Sequence, residues 1–171
     1  MNPELHHYRS QSVDDLVEEW RTVLPDADVE AKAITSRIAR LHHLMRLRVE
    51  AALDTVGLSD SEYRLLAGVR RSGPPFRLSP SEITTRYLPM TSGGCTALID
   101  RLEQRGLVER SANPADRRGV YVSLTEAGKT LAEQAMRAVL TVETEVVSAL
   151  TPRNRKANIA ALSALMGAAL E

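Results

Sequence analysis

Asp116, Arg117 and Arg118 stand together beside a predicted turn, and this cluster suggests contact with an anionic partner. The three residues follow Asn113-Pro114, a dipeptide that favours a chain reversal. Residues 120–124 then alternate between apolar and polar types, which predicts the return strand of a hairpin. A guanidinium group stays charged and binds phosphate through several hydrogen bonds. We therefore expect the hairpin tip to contact a polyanion; a salt bridge that only rigidifies the hairpin is the alternative.

The distribution of charge along the chain points to the same region. The net charge is zero, but residues 64–118 carry 10 arginines against 5 acidic residues. Residues 1–63 carry 7 Lys and Arg against 12 Asp and Glu, and residues 119–171 carry 5 of each kind. Concentrated positive charge favours a surface for an anionic partner such as nucleic acid. An ordinary solvated face is the alternative.

The composition argues against several other classes of protein. Hydrophobic residues make up 43% and charged residues 26% of the 171 positions, as in ordinary globular proteins. No apolar run approaches the ~18 residues that span a membrane, and the first residues lack a signal-peptide core. The single Cys fits a reducing compartment, so we expect a cytoplasmic protein without membrane contact. The sequence has no phosphate-binding glycine loop, zinc-ligand spacing or nucleophile elbow, so we expect no enzymatic activity, cofactor or metal.

Apolar periodicity predicts a mainly α-helical fold in which two short helices precede the hairpin. The predicted helices cover residues 12–23, 28–56, about 59–71, 79–87, 91–105, 126–149 and 153–170. Two short helices followed by a hairpin form a winged helix-turn-helix. The long and terminal helices are apolar on one face, so we expect them to pair with a second copy of the chain. We predict an N-terminal extension helix with a long dimerisation helix over 1–57, a DNA-binding lobe over 58–125 and C-terminal dimerisation helices over 126–171.

The helix predicted over 91–105 has the surface expected of a recognition helix. Its apolar residues recur on one stripe, and small and polar residues lie opposite, a combination that lets a helix enter a major groove. The stripe consists of Cys95, Leu98, Ile99 and Leu102. The candidate DNA contacts are Thr91, Ser92, Gly93, Thr96, Ala97 and Arg101. Arg77, which precedes the first short helix, is a further candidate for phosphate contact, with a solvated side chain as the alternative.

Two motifs resemble the MarR family of multiple-antibiotic-resistance-type regulators. One is the wing pattern Asp116-x-Arg118-x-x-x-Val122-x-Leu124-Thr125-x-x-Gly128, and the other is LIDRLEQRGLVER over 98–110. The resemblance covers residues 28–170 and implies a homodimer that binds a pseudo-palindromic duplex of double-stranded DNA. Each recognition helix would lie in a major groove, and Arg118 would enter the adjacent minor groove. Asp116 would orient Arg118 through a charge-assisted hydrogen bond, with Arg117 contacting phosphate or the minor groove nearby.

The added N-terminal helix resembles the PecS-type and urate-responsive branch of this family, whose extra helix carries a Trp, matched here by Trp20. Arg64 stands where the urate responders have an Asp, and Leu98 stands where they have an Arg. The resemblance implies a small-molecule effector, and Arg64 favours an anionic one. The candidate effector contacts are Trp20, His42, His43, Arg46 and Arg64. A packing role for Trp20 and a polar helix face for the histidines are the alternatives.

These expectations combine into a ligand-responsive transcriptional regulator, which we expect to be a repressor. A winged-helix module for protein–protein contact is an alternative from another class. A thiol-based redox sensor acting through Cys95 is a third hypothesis. The position of Cys95 on the buried stripe favours an inert apolar side chain instead.

Overall fold

The fold is mainly helical, as predicted, with one small sheet. A computed structural model describes residues 12–113 and 116–170, without the side chains of 116–118. The elements are α1 (Val13–Val23), α2 (Glu30–Asp54), α3 (Asp60–Arg71), β1 (Arg77–Leu78), α4 (Pro80–Arg86), α5 (Ser92–Gln104), β2 (Val108–Asn113), β3 (Asp116–Leu124), α6 (Glu126–Val147) and α7 (Pro152–Ala168). Each helix begins and ends within two residues of its predicted bounds. No helix in the described part of the chain has the length and hydropathy of a membrane span.

The sheet contains a short strand that the sequence pattern does not predict. β1 pairs with β3, which also pairs with β2, so the strand order is β1-β3-β2 and the pairs are antiparallel. Two residues are too few to show the alternation that identifies a strand. β3 also begins earlier than predicted, at Asp116 rather than Val120. The backbone of residues 116–118, expected at the hairpin tip beside the turn, is therefore already part of the strand.

The chain divides into two compact units between Arg48 and Val49, within α2. In the first unit, a capping box starts α1, because the Ser12 hydroxyl accepts a hydrogen bond from the Asp15 amide at 3.0 Å. A small apolar cluster packs α1 against the start of α2, and its members are Val13, Val17, Val29 and Ala33. The first unit is thus a helix pair with little interior of its own.

The second unit is built around an aliphatic core to which every one of its elements except α7 contributes. Its largest fully buried side chains are Leu53, Leu65, Leu66, Ile83, Ile99, Leu102, Val69, Val108, Val122 and Cys95. The predicted stripe of α5 is confirmed, because Cys95, Leu98, Ile99 and Leu102 are at most 3% exposed. α5 is therefore fixed to the core along one face, which leaves its other face available for contact.

Gly128 lets the start of α6 pack directly on the backbone that precedes β2. A Cβ atom at position 128 would lie 1.8 Å from the Leu107 carbonyl oxygen, so only glycine fits. Thr125 caps the helix, because its hydroxyl accepts from the Gly128 amide at 3.0 Å and donates to the Gly106 carbonyl at 2.7 Å. The predicted helix start at Thr125 is confirmed, and the close approach gives the reason for the glycine in the wing motif.

Apolar residues lie exposed on helices of both units. None of the residues of α7 is buried, although it spans 17 residues. Its exposed large apolar side chains are Ile159, Leu162, Leu165 and Met166, and those of α2 are Ile34, Ile38 and Leu41. Helices in proteins are stabilised mainly by packing of an apolar face. The faces of α2 and α7 are therefore incomplete in a single chain.

Candidate nucleic-acid interface

The face of α5 opposite the core is small, polar and exposed. Its contact candidates Thr91, Ser92, Gly93, Thr96 and Ala97 are all exposed, as predicted. Thr91 caps the helix by accepting a hydrogen bond from the Gly94 amide at 3.2 Å. The first turn of α5 carries no acidic residue, so no carboxylate within that turn neutralises the positive end of the helix dipole. A Cβ atom at Gly93 would meet nothing within 4 Å, which leaves room for close approach by a large partner.

Thr96 is held in one orientation by its own helix. Its hydroxyl donates to the Ser92 carbonyl oxygen at 3.1 Å. The hydroxyl proton is therefore engaged, and the oxygen remains a hydrogen-bond acceptor. An acceptor beside the methyl of Ala97 can distinguish base edges in a major groove, since amino groups and the thymine methyl lie there.

Glu62 anchors the C-terminal half of α5 to the N-terminus of α3. The carboxylate is buried, and its Oε1 accepts a hydrogen bond from Arg105 Nη1 at 2.9 Å and forms an ion pair with Arg101, whose Nε lies 3.1 Å away. Its other oxygen, Oε2, accepts from the Ser59 amide at 2.8 Å and the Ser59 hydroxyl at 3.0 Å. Burial alone would raise the pKa of Glu62, but the Ser59 hydrogen bonds and the two arginines hold it below its ordinary value. Arg101, expected as a DNA contact, thus has an internal partner that the sequence prediction did not include.

Arg110 on β2 fixes the same helix from a second side. Its Nη2 donates to Asp100 Oδ1 at 2.5 Å, and its Nη1 pairs with Glu103. Burial alone would lower the pKa of Arg110, but the hydrogen bonds and charges of Asp100 and Glu103 raise it above its ordinary value. Asp100 lies on the exposed side of α5, where a bare carboxylate would repel phosphate. Arg110 compensates this charge and, with Glu62, limits rotation of the helix about its axis.

The wing consists of β2 and β3, supported at its base by β1. Arg77 on β1 lies over the ring of Tyr121 on β3, with its guanidinium carbon 4.3 Å from the ring centroid. The β2–β3 pairing is irregular between Ala112 and Asn113. The side chains of Asp116, Arg117 and Arg118 lie outside the described residues, so their minor-groove role stays a prediction.

Most of the arginines between 64 and 118 have partners inside the protein. Arg70 pairs with Glu133 at 2.7 Å, and Arg101, Arg105 and Arg110 pair with the acids described above. Among the described residues, Arg71, Arg77 and Arg86 have no ion pair within 4 Å; Arg77 lies over the ring of Tyr121, and Arg71 and Arg86 lie over that of Tyr87. The charge count in the sequence therefore overstates the positive charge available to a polyanion. Arg86, at the end of α4, is a candidate contact that the sequence prediction missed, because its spatial neighbours are not apparent from the chain.

Cys95 has the features of a packing residue. Its side chain is 1% exposed, and burial raises the pKa of the thiol above its ordinary value. Reactive cysteines are accessible and have a lowered pKa. The environment of Cys95 favours the inert alternative stated above over the redox sensor.

The residues expected to bind an effector lie in both units. Trp20, His42, His43 and Arg46 belong to the first unit, where Trp20 is 41% exposed and Lys32 Nζ lies 4.6 Å from its ring centroid. Trp20 is therefore not a core residue of the single chain. Arg64 belongs to the second unit, where it donates to the Tyr87 carbonyl at 3.0 Å and lies 3.8 Å from Asp60.

A cavity of about 690 Å³ lies between α3 and α6 in the second unit. Its lining residues are Tyr63, Arg70, Arg71, Glu133, Met136, Arg137, Val139, Leu140 and Glu143. The Arg70 hydrogen bond, at 2.8 Å, holds the pKa of Glu133 below its ordinary value. Arg71 and Arg137 add two further positive charges, Glu143 adds one negative charge, and Val139 and Leu140 supply apolar surface. This mixed lining can accommodate a small anion with an apolar body.

The fold and the exposed face of α5 define a winged helix-turn-helix protein. Residues 56–119 match the MarR family model. The HTH-type transcriptional regulator PecS of Dickeya dadantii (strain 3937) is 31% identical over 140 residues, covering 82% of this chain and 84% of PecS. The protein belongs to the MarR family, and the resemblance to PecS inferred from the sequence is confirmed.

Solved structures of the family show the same fold. Wild-type MarR of E. coli in its apo form has a TM-score of 0.62 at 26% identity, covering 80% of this chain and 96% of that one. Sco3205, a MarR family transcriptional regulator from Streptomyces coelicolor in complex with DNA, has a TM-score of 0.71 at 22% identity, covering 85% and 94%.

Proposed function

We propose that the protein is a homodimeric transcriptional regulator that binds a pseudo-palindromic operator in double-stranded DNA. The observation that carries the proposal is the exposed small and polar face of α5, from Thr91 to Ala97, at a helix N-terminus whose first turn has no acid. A helix with this surface fits a major groove about 12 Å wide. Its N-terminal amides suit a phosphate group. The similarity to PecS, itself named a transcriptional regulator, supports this reading.

The wing would bind beside the recognition helix. Arg118 would enter the minor groove and Asp116 would orient it, while Arg117 would contact phosphate. Arg77 and Arg86 would add phosphate contacts, because both lie over aromatic rings and neither has an ion pair within 4 Å among the described residues. Binding would take place in the cytoplasm, as expected from the sequence.

The dimer would form through the exposed apolar faces of α2 and α7. α7 has no buried residue in the single chain, and a second copy is the simplest partner for such a face. Two copies related by a twofold axis would present two recognition helices to half-sites about one helical turn apart, roughly 34–36 Å.

A small anionic effector would bind in the cavity between α3 and α6, with Arg71 and Arg137 facing its charge. The effector contacts predicted from the sequence do not line this cavity and stay predictions of a separate site; they are Trp20, His42, His43, Arg46 and Arg64. The effector would release DNA, as in a repressor, if it binds the DNA-free conformation more tightly. Benzoate, a minimal aromatic anion, should raise the melting temperature, benzyl alcohol should not, and Arg137→Ala should abolish the shift. A benzoate shift that survives Arg137→Ala would place the effector elsewhere.

Selection from a pool of random duplexes tests the DNA-binding proposal. The purified protein should enrich one sequence with two inverted half-sites, and size-exclusion chromatography should show two chains bound to each duplex. Enrichment of no sequence, together with no retention of duplex DNA at low salt, would refute it and favour a protein–protein module.

A further inference from the structure

We infer that Glu62 sets the DNA specificity of the lobe by withholding Arg101 and Arg105 from phosphate while it fixes the recognition helix. The inference rests on the proposed DNA-binding function and concerns a residue outside the exposed contact surface. Glu62 would act through the two arginines, as a positioning residue.

The two carboxylate oxygens of Glu62 have different partners. Oε2 completes the capping box of α3 with Ser59, at 2.8 Å from the amide and 3.0 Å from the hydroxyl. Oε1 contacts Arg101 of α5, at 3.1 Å from Nε, and Arg105, the C-cap residue of that helix, at 2.9 Å from Nη1. One side chain thus starts one helix and holds another, and the two roles can be separated by substitution.

Because the Glu62 carboxylate is buried, its ion pairs with Arg101 and Arg105 are costly to break. Glu62 is the one charged side chain among the described residues that is buried, at 6% exposed. Loss of one arginine would leave the buried carboxylate less compensated, which is costly for a charge out of solvent. An exposed phosphate that draws Arg101 or Arg105 away must therefore overcome the loss at Glu62.

The restraint matters because both arginines are accessible from solvent. Their side chains are 56% and 36% exposed, and Arg105 is also held by the Gly57 carbonyl at 3.0 Å from Nη2. An arginine released towards DNA would neutralise a phosphate wherever the protein landed, because phosphate contacts carry no sequence information. Glu62 would thus suppress binding to random sequence.

The same contacts fix how α5 presents its base-reading residues. Arg101 and Arg105 are four residues apart, so they lie on one face of adjacent helical turns. Their common attachment to Glu62 limits rotation of α5, and with it the direction in which Thr96 and Ala97 face a base edge. Loss of the attachment would weaken discrimination while the total positive charge facing DNA increased.

Glu62→Gln tests the inference, with Glu82→Gln as the matched control. A glutamine can still serve the capping box, so the substitution removes charge and preserves the helix start. Glu82 occupies the same position in the capping box of α4, where its Oε2 accepts a hydrogen bond from the Ser79 amide at 2.8 Å. Unlike Glu62, it has no ion pair to α5 among the described residues. Fluorescence anisotropy would measure affinity for the selected operator and for a random duplex of equal length, over a series of salt concentrations. Circular dichroism and chromatography would check helix content and dimer size.

We expect Glu62→Gln to bind the random duplex several-fold more tightly and the operator no more tightly, so that the affinity ratio falls. The salt slope for the random duplex should steepen by about 1 or more, since additional phosphates are neutralised. Glu82 lies near Arg86 on its own helix, so Glu82→Gln should change both quantities less than Glu62→Gln does. An unchanged ratio and slope in folded Glu62→Gln, or an equal change in Glu82→Gln, would overturn the inference. Absence of binding to either duplex by the wild type would instead overturn the proposed function, and the inference with it.

Arg101→Ala in the wild-type background provides a second test, which does not depend on whether Glu62→Gln folds. Because Glu62 holds Arg101, this variant should bind the random duplex within about twofold of the wild type. A tenfold loss would show that Arg101 already contacts phosphate and would overturn the inference.

Discussion

The guanidinium of Arg77 lies over the ring of Tyr121, 4.3 Å from the ring centroid, and so joins β1 to the wing strand β3. A ring face stabilises a cation without neutralising it. Arg77 therefore keeps its positive charge in a defined position, whereas Arg101, Arg105 and Arg110 have theirs compensated by acids. A charge held in this way is suited to a phosphate contact beside the wing.

Arg77→Ala should weaken binding to operator and random duplex to the same extent, because a phosphate contact is independent of sequence. The slope of log affinity against log salt should decrease in magnitude by about 1 for each phosphate that is no longer neutralised. Lys156→Ala on α7 is the control, since it removes one positive charge outside the lobe. Anisotropy titrations at several salt concentrations measure both effects. Affinity and slope equal to those of the wild type would show that Arg77 serves only the sheet.

Gly128→Ala should destabilise the second unit severely. The added Cβ would lie 1.8 Å from the Leu107 carbonyl oxygen, a backbone atom that cannot move without shifting the sheet. Overpacking of this kind costs about 1–3 kcal/mol or more. Gly167→Ala is the control, because a Cβ there would meet nothing within 4 Å. Urea denaturation should show a lower midpoint for Gly128→Ala alone; equal midpoints would contradict the close approach.

The stabilising effect of Glu62 should depend on pH in the acid range. The pKa of Glu62 is lowered in the folded protein from its ordinary value of 4.5. A group whose pKa is depressed by folding contributes stability above the unfolded pKa, and that contribution is lost as the pH falls towards the folded pKa. At pH 7, Glu62→Gln should reduce the free energy of unfolding by roughly 1.5–3 kcal/mol. Urea titrations should show the difference from wild type shrinking below pH 4.5; a difference independent of pH would exclude an ionised Glu62 as its cause.

Acidic residues on the apolar face of α7 should separate the chains. Ile159 and Leu162 are 67% and 45% exposed in the single chain, so Ile159→Asp with Leu162→Asp should not disturb its core. The charges would lie in the proposed dimer interface, where desolvation is costly. Ala164→Asp, on the opposite side of the helix, is the control. Sedimentation should show monomers for the double variant and dimers for the control; a dimeric double variant would place the interface elsewhere.

The local features of the site could be predicted from the sequence, and its tertiary restraints could not. The stripe from Cys95 to Leu102 and the helix stop at Gly106, whose φ is 69°, follow from periodicity and from residue type. Glu62 and Arg105 are 43 residues apart, and no local pattern indicates that they meet. The sequence also overestimates the number of positive charges available on the surface, because the position of an arginine in the chain does not reveal which acid packs against it.

Two further features of the structure, the strand β1 and the cavity between α3 and α6, could not be predicted from local sequence patterns. β1 has two residues, Arg77 and Leu78, which is too short for an alternating pattern. The cavity between α3 and α6 draws Tyr63 and Arg137 from segments far apart in the chain, so only the packing of the two helices brings them together. Sequence motifs identified the lobe, while the structure was needed to show which charges remain available within it.

The salt dependence of binding to the selected operator decides whether the protein recognises DNA through several phosphate contacts. A homodimer that reads DNA through two recognition helices and two wings neutralises several phosphates, each of which contributes about −0.9 to the slope of log affinity against log salt. We predict a linear plot with a slope of about −4 or steeper. A flat plot, with affinity unchanged between low and moderate salt, would contradict the account of this protein as a DNA-binding regulator.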